Sequence, residues 1–190
     1  GDCSKVWVDL EPCQSIFVLF GTKARSKEPR LDKESYKAYL PLDGKWTVRL
    51  ADAASYPHFQ DTTIDRLVDL SLPEYYPDFS GVVQYQISFD GVDASSYLLD
   101  LGEVYELATV ALNGEKIAEL ICPPYQVEIP GAKIPPGKNE LRIEVVNTVV
   151  KSQTVHLFDK YFPQEPTGLL GDVKLWYKTK QPRREEQHEP

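Results

Sequence analysis

Tyrosines lie close to acidic residues at two places in this sequence, a combination that suits contact with a sugar. Tyr75 and Tyr76 precede Asp78, and Tyr105 follows Glu103 by two positions. An aromatic face packs on the apolar face of a sugar ring, while nearby polar groups hydrogen-bond the hydroxyls of the sugar. The predicted ligand-binding residues are therefore Tyr75, Tyr76, Asp78, Glu103 and Tyr105.

A third aromatic group, Tyr161 and Phe162, lies in a stretch that the sequence predicts to be a long loop, residues 148 to 166. All three groups have a structural alternative, in which the rings pack loops onto the fold or face a neighbouring domain. The sequence favours that alternative over ligand contact.

No residues carry a recognisable catalytic or metal-binding pattern. The acidic residues offer pairs such as Glu74 with Asp78, but none of these pairs lies in a catalytic signature. The histidines His58, His156 and His188 are far apart, and neither a serine nucleophile elbow nor a phosphate-binding glycine loop is present. Calcium needs six to eight oxygen ligands, which no loop evidently supplies. We predict no catalytic residues, no metal and no cofactor.

Charge and cysteine content limit the classes of partner and the kinds of metal or disulfide site that the chain can have. The net charge of −8 argues against nucleic acid, which is bound through clustered Lys and Arg. The spacings of Cys3, Cys13 and Cys122 match no zinc pattern; Cys3 could pair with Cys13, and three free thiols are the preferred interpretation. No stretch is apolar for long enough to span a membrane, and no signal peptide is evident. We therefore expect the chain to begin inside a larger protein or after processing.

A hairpin centred on Asn113-Gly114 is the clearest structural signal. An Asn-Gly pair favours a type I′ turn, because both central residues adopt positive φ, and alternating apolar residues flank it on either side. Other alternating segments predict further strands, with Trp46, Val48 and Leu50 on one buried face. Many short strands without a helical period predict an all-β fold, a jelly-roll β-sandwich.

The predicted domain organisation has four parts. Residues 1–21 hold two strand candidates, 6–10 and 15–20, that belong to or close an upstream domain, and residues 22–40 form a polar linker or surface loop. Residues 41–177 form the jelly-roll β-sandwich, whose last strand is predicted at 169–176. Residues 178–190 are charged and are predicted to be a disordered tail.

Several short motifs together resemble the galactose-binding-like jelly-roll domain of glycoside hydrolase family 2 and related large bacterial glycosidases. The similarity is nearest to the C-terminal domain of α-L-rhamnosidase-like proteins. The motifs are Leu42-Asp43-Gly44-Lys45-Trp46, Phe79-Ser80-Gly81, Ala111-Leu112-Asn113-Gly114, Pro135-Pro136-Gly137-Lys138-Asn139, Val145-Val146-Asn147 and Pro166-Thr167-Gly168-Leu169-Leu170-Gly171.

This resemblance implies a non-catalytic accessory domain, carbohydrate-binding or structural, of a larger secreted or periplasmic glycoside hydrolase. The implied partners are a carbohydrate and an upstream catalytic domain of the same protein. Two alternatives stay open from the sequence: a free-standing glycoside hydrolase, and a protein-interaction β-sandwich module.

Overall fold

A computed structural model describes residues 5–8, 10, 15–18, 20, 33–36, 38–152 and 165–180. The predictions for Cys3, Cys13, His156, Tyr161, Phe162 and His188 lie outside these residues. The strands are β1 Ala38–Leu40, β2 Thr47–Asp52, β3 Gln60–Asp61, β4 Gly81–Gly91, β5 Ala94–Asp100, β6 Val104–Tyr105, β7 Leu107–Leu112, β8 Glu115–Leu120, β9 Gln126–Pro130, β10 Gly137–Val146, β11 Gly168–Leu169 and β12 Lys174–Thr179. Short 3-10 turns lie at Lys33–Ser35, Gly131–Lys133 and Val149–Ser152.

The strands form two main antiparallel sheets. One sheet has the order β1-β12-β5-β9, the other β3-β2-β4-β10-β7-β8, and β11 pairs with β6 in a small third sheet. The longest pairing is between β4 and β10. It runs from Gly91, which lies opposite Gly137, to Val82, which lies opposite Val146. The all-β jelly-roll sandwich predicted from the sequence is confirmed.

The core forms where alternating apolar side chains of the strands meet between the sheets. Val83 and Tyr85 of β4 are almost fully buried, as are Leu141 and Ile143 of β10. Trp46 is also buried, as predicted, and its ring meets that of Tyr85 edge to face, with centroids 6.4 Å apart. Because side chains alternate along a strand, every second side chain lies on the outer surface of its sheet.

The hairpin at Asn113-Gly114 is also confirmed. Leu112 pairs with Glu115, so the connection has two residues, and both have positive φ, 50° at Asn113 and 83° at Gly114. Asn113 ties the turn to the next part of the sheet. Its Nδ2 donates to Asn139 Oδ1 at 2.9 Å, and its Oδ1 accepts from the backbone N–H of Glu140 at 2.9 Å.

Asn147 connects two of the sequence motifs inside the fold. Its Nδ2 donates to the carbonyl of Phe79 at 2.8 Å, and its Oδ1 accepts from the N–H of Gly81 at 2.8 Å. Asn147 is buried, so these bonds satisfy the polar atoms of its side chain.

Gly168 occupies a position that only glycine suits. Its φ is +109°, and a Cβ there would lie 2.2 Å from the hydroxyl oxygen of Tyr85. That hydroxyl accepts a hydrogen bond of 3.1 Å from the N–H of Leu169. This glycine therefore lets β11 lie directly against the hydroxyl end of the buried Tyr85.

The two strands predicted near the N-terminus are not formed by the described residues there. Residues 5–8, 10, 15–18 and 20 carry no strand, and the side chains of Trp7 and Phe17 are fully exposed. A strand needs a neighbour to pair its backbone groups, and the described residues provide none for this segment. The assignment of residues 1–21 to an upstream domain stays a prediction.

The end of the predicted linker 22–40 belongs to the sandwich, which corrects that boundary. β1 pairs with β12, and the buried Tyr36 anchors the preceding turn on the same sheet. The Tyr36 hydroxyl lies 3.1 Å from Ser96 Oγ and donates to Glu128, while Lys178 Nζ lies 4.2 Å from the centre of the Tyr36 ring. These contacts join three neighbouring strands, β5, β9 and β12. At the other end β12 continues to Thr179, past the predicted bound at 177.

The single closing strand predicted at residues 169–176 is instead two strands with a break between them. Residues 170–173 leave the sheet because Leu170 donates to the carbonyl of Glu103 at 2.9 Å and Gly171 packs against the backbone of Gly102. The broken segment forms one wall of the cleft described next.

Candidate functional site

A cleft of about 830 Å³ opens beside the edge strand β1. Its walls come from β1 and the chain that leads into β2, from residues 65–67, from residues 170–174 and from Trp176. A volume of this size lies within the range of roughly 300–1,000 Å³ that is typical of small-molecule sites.

Tyr39 and Trp176 form an aromatic surface in this cleft. They lie directly opposite one another in the β1–β12 pairing, with ring centroids 5.3 Å apart and planes at 57°. Their neighbour Leu175 points into the core and is fully buried, so Trp176 points outward. Trp176 is partly covered, whereas Tyr39 is 58% exposed. Both rings are therefore accessible to a ligand.

Charged side chains surround these rings. The acidic lining residues are Asp43, Asp65 and Asp172, and the basic lining residues are Arg66 and Lys174. Lys45 Nζ donates to Asp65 at 2.8 Å, and this hydrogen bond and the ammonium charge hold the pKa of Asp65 below its ordinary value. Among the described residues, neither Arg66 nor Lys174 forms an ion pair. The cleft thus offers both carboxylate acceptors and cationic donors.

A second cavity of about 350 Å³ lies next to the first. It is lined by residues 63–66 and by Glu74, Tyr75 and Tyr76, so that Asp65 and Arg66 line both cavities. Arg66 Nη2 lies 3.4 Å from the hydroxyl of Tyr75, which is a long contact for a hydrogen bond.

The residues predicted as a binding site fall into two separate places. Tyr75 and Tyr76 line the second cavity, but Asp78 lines neither cavity. Tyr105 donates to Glu103 Oε2 at 3.3 Å, and these two side chains also lie outside both cavities. Burial, followed by the neighbouring charge of Glu103, raises the pKa of Tyr105. The structure does not bring the two predicted clusters into one pocket.

The sequence interpretation missed the aromatic pair of the larger cleft. Tyr39 lay in the predicted linker, and Trp176 was assigned only to a strand. A signal was present, because Trp176 follows the apolar Leu175 in a strand and must face the opposite side of the sheet. An outward-facing tryptophan is a large apolar surface that a ligand or partner can cover.

The described residues contain neither a metal-ligand cluster nor a membrane-spanning helix. Among them, no group of three or more His, Cys, Asp or Glu side chains is arranged to hold a metal ion. No helix in the described part of the chain is long and apolar enough to cross a membrane.

Solved structures reveal the type of domain. The chain aligns with the rhamnosidase from Novosphingobium sp. PP1Y at 28% identity and a TM-score of 0.60, over 82% of this chain and 16% of that one. The domain type is that of large glycoside hydrolases. A GH2 beta-galacturonidase from Eisenbergiella tayi, at 17% identity and a TM-score of 0.52, shares the fold over 74% of this chain and 24% of its own.

A third structure, a Faecalibacterium prausnitzii beta-glucuronidase, gives 18% identity and a TM-score of 0.52 over 75% of this chain and 32% of its own. The glycosidase-type domain thus spans less than a third of each of these enzymes. No family model matches the chain, and no curated protein is significantly similar to it.

Proposed function

We propose that this chain is a non-catalytic accessory domain of a larger glycoside hydrolase and that its larger cleft binds a carbohydrate. The observation that carries the proposal is the Tyr39–Trp176 aromatic pair in a cleft that also holds carboxylates and cations. The accessory role is supported by coverage, because the chain corresponds to only 16% of the rhamnosidase.

The chemistry of the cleft suits a sugar better than a purely apolar ligand. The rings of Tyr39 and Trp176 offer flat faces for the C–H groups of a pyranose. Asp43 and Asp172 can accept hydrogen bonds from hydroxyls, while Arg66 and Lys174 can donate to hydroxyls or to the carboxylate of an acidic sugar. The cleft carries both positive and negative side chains. Its ligand is therefore selected by hydrogen bonding and stacking, and net charge contributes less.

Glycoside hydrolysis by this chain alone is the weaker candidate. It needs a pair of carboxyl groups about 5 to 10 Å apart, and usually a general acid with a raised pKa. The hydrogen bond from Lys45 shifts the pKa of Asp65 downward, which is the wrong direction for a general acid. Assays with a broad panel of aryl-glycosides test this alternative directly, and turnover would establish a free-standing hydrolase.

The same proposal places the chain beside a catalytic domain of its parent protein, in the periplasm or outside the cell. The similar structures include a rhamnosidase and a beta-galacturonidase, whose names point to rhamnose and uronic acids as sugars to test.

A glycan array tests carbohydrate binding. We expect a specific signal for the wild-type chain that Trp176→Ala removes and that Tyr56→Ala retains. Tyr56 is an exposed tyrosine that packs on Phe59 outside the cleft, which makes it a matched aromatic control. Circular dichroism confirms that each variant is folded. An array without signal, or a signal that Trp176→Ala leaves intact, would contradict the proposal.

A further inference from the structure

We propose that the two cavities are consecutive parts of one groove that binds an oligosaccharide of three or more sugar residues, with Arg66 between the parts. This inference rests on the proposed function and deepens it. It names the length of the ligand and assigns Arg66, Tyr75 and Tyr76 to the same binding site as Tyr39 and Trp176.

The shared lining is the first observation. Asp65 and Arg66 contribute to both cavities, so the two spaces adjoin at these residues. Both residues are exposed, and Arg66 makes only the long 3.4 Å contact with Tyr75 among the described residues. The guanidinium can therefore donate to ligand groups on either side without giving up a strong partner.

Backbone hydrogen bonds fix the relative position of the two parts. The N–H of Trp46 donates to the carbonyl of Asp65 at 3.0 Å, which holds the shared wall against the core. The N–H of Tyr76 donates to the carbonyl of Leu70 at 2.9 Å, and Leu70 is fully buried. The groove is therefore largely formed before a ligand arrives, which lowers the entropic cost of binding.

Each part has its own aromatic surface. Tyr39 and Trp176 line the larger cavity, and Tyr75 and Tyr76 line the smaller one. A sugar ring that stacks on the aromatic surface of one cavity leaves the surface of the other cavity uncovered. An oligosaccharide places further rings along its length, so it can stack at both ends while Arg66 bonds the hydroxyls or a carboxylate between them.

The structure therefore assigns different roles to variants at the two ends. Trp176→Ala removes stacking in the larger cavity and should weaken binding of every ligand. Tyr76→Ala removes a ring that is 38% exposed in the smaller cavity and should weaken only ligands long enough to reach it. Arg66→Ala should reduce the gain in affinity with length, because it contacts the ligand at the junction.

Isothermal titration calorimetry with two length series tests the groove. The first series consists of L-rhamnose, galacturonate and rhamnogalacturonan oligosaccharides of increasing length. The second, neutral series consists of galactose and galacto-oligosaccharides. We expect one series to bind, with affinity rising at least about fivefold between the monosaccharide and the tetrasaccharide. In Tyr76→Ala we expect most of that rise to be lost, while monosaccharide affinity stays within about twofold of wild type. Arg66→Ala should also lose most of that rise, and it should weaken the monosaccharide as well because Arg66 lines the larger cleft.

The outcomes separate this inference from the function on which it rests. Equal affinity for all lengths, lost in Trp176→Ala, would overturn the extended groove and leave the carbohydrate-binding cleft standing. A length dependence that Tyr76→Ala and Arg66→Ala leave unchanged would also overturn it. No binding by any member of either series would contradict both proposals. Tyr56→Ala and the thermal midpoint of each variant control for misfolding.

Discussion

Two asparagines of the motifs that carry the sequence resemblance differ from two side chains of the cleft in how their surfaces are used. Asn147 and Asn113 are bonded within the fold, to the backbone near Phe79 and to Asn139 respectively. In the cleft, Arg66 and Trp176 remain accessible and have few partners among the described residues. These two motif asparagines therefore specify how loops join the sheets, whereas other motif residues, Asp43 and Trp46 among them, line the cleft.

This difference explains why motif resemblance leads to a fold more readily than to a site. A buried asparagine that bonds two backbone groups is costly to replace, because its partners would be left unsatisfied. An exposed ring on an edge strand can change with little effect on stability. Variants of the interior should therefore change the free energy of unfolding and leave the sugar affinity of the folded protein unchanged.

Gly168→Ala should have the largest effect on stability. The new Cβ would meet the hydroxyl oxygen of Tyr85 at 2.2 Å, at a backbone position with φ of +109°. Steric overlap in a packed core and the unfavourable φ together predict a loss of about 3 kcal/mol or more in the free energy of unfolding. Urea denaturation measures this, with Gly114→Ala as the control, since a Cβ at Gly114 has positive φ but meets no atom within 4 Å.

If Gly168→Ala were no less stable than Gly114→Ala, close packing of β11 on Tyr85 would be wrong. The folded fraction of Gly168→Ala should bind sugar as the wild type does, because neither Gly168 nor Tyr85 lines the cleft.

Asn147→Ala should follow, with a loss of about 2 to 4 kcal/mol, because it leaves the carbonyl of Phe79 and the N–H of Gly81 without their side-chain partner. Chemical denaturation gives the magnitude. Asn147→Asp keeps the acceptor for Gly81 but loses the donor for Phe79, so it should be destabilised as well. Wild-type stability in Asn147→Ala would contradict the structural role of this motif.

Asp69→Asn should cost about 1 kcal/mol near neutral pH, because the hydrogen bonds to the charged carboxylate are stronger than those to an amide. Asp69 Oδ1 accepts from the N–H and hydroxyl of Ser71 and from the N–H of Thr167, at 2.9, 2.7 and 3.0 Å. Partial burial raises the pKa of Asp69, but these hydrogen bonds outweigh it and the pKa lies below its ordinary value of 3.8.

A lowered folded pKa means that the carboxylate stabilises the protein above the ordinary value of 3.8 and loses this contribution as the pH falls through the folded pKa. Urea titrations at about pH 7 and about pH 2.5 should therefore show the difference between wild type and Asp69→Asn shrinking in acid. A difference that grows in acid would mean that the pKa shift has the opposite sign.

Tyr39→Ala should have the smallest effect on stability, less than about 1 kcal/mol, because the ring is largely exposed and contributes one aromatic contact. Its effect on sugar affinity should nevertheless exceed that of Gly168→Ala or Asn147→Ala. Thermal unfolding and calorimetric titration of the same samples compare both quantities. A large loss of stability with unchanged affinity would reverse the distinction between the interior and the cleft.

Much of the sandwich could be predicted because its signals are local. The Asn113-Gly114 turn depends on two adjacent residues, and the alternation in β4 and β10 can be read within each strand. The break between β11 and β12 was missed because it depends on Gly171 meeting Gly102, which is distant in sequence.

The larger cleft was missed for the same reason. Tyr39 and Trp176 become neighbours only through the pairing of the first and last strands of the sandwich. Tyr75 and Tyr76 lie in one irregular segment and line the smaller cavity, while their role in binding stays a prediction. The sequence could not show that this cavity adjoins the larger one, because Asp65 and Arg66 join the two only in the folded chain.

The most direct measurement is an NMR titration of the isotopically labelled chain with a rhamnogalacturonan tetrasaccharide, followed by amide chemical shifts and by the indole N–H of Trp176. We predict that the shifted signals map to residues 39–46, 65–67, 74–76 and 170–176, with the indole of Trp176 among the largest changes. Shifts centred instead on Glu103 and Tyr105, or the absence of any shift, would contradict the assignment of the binding site to this groove.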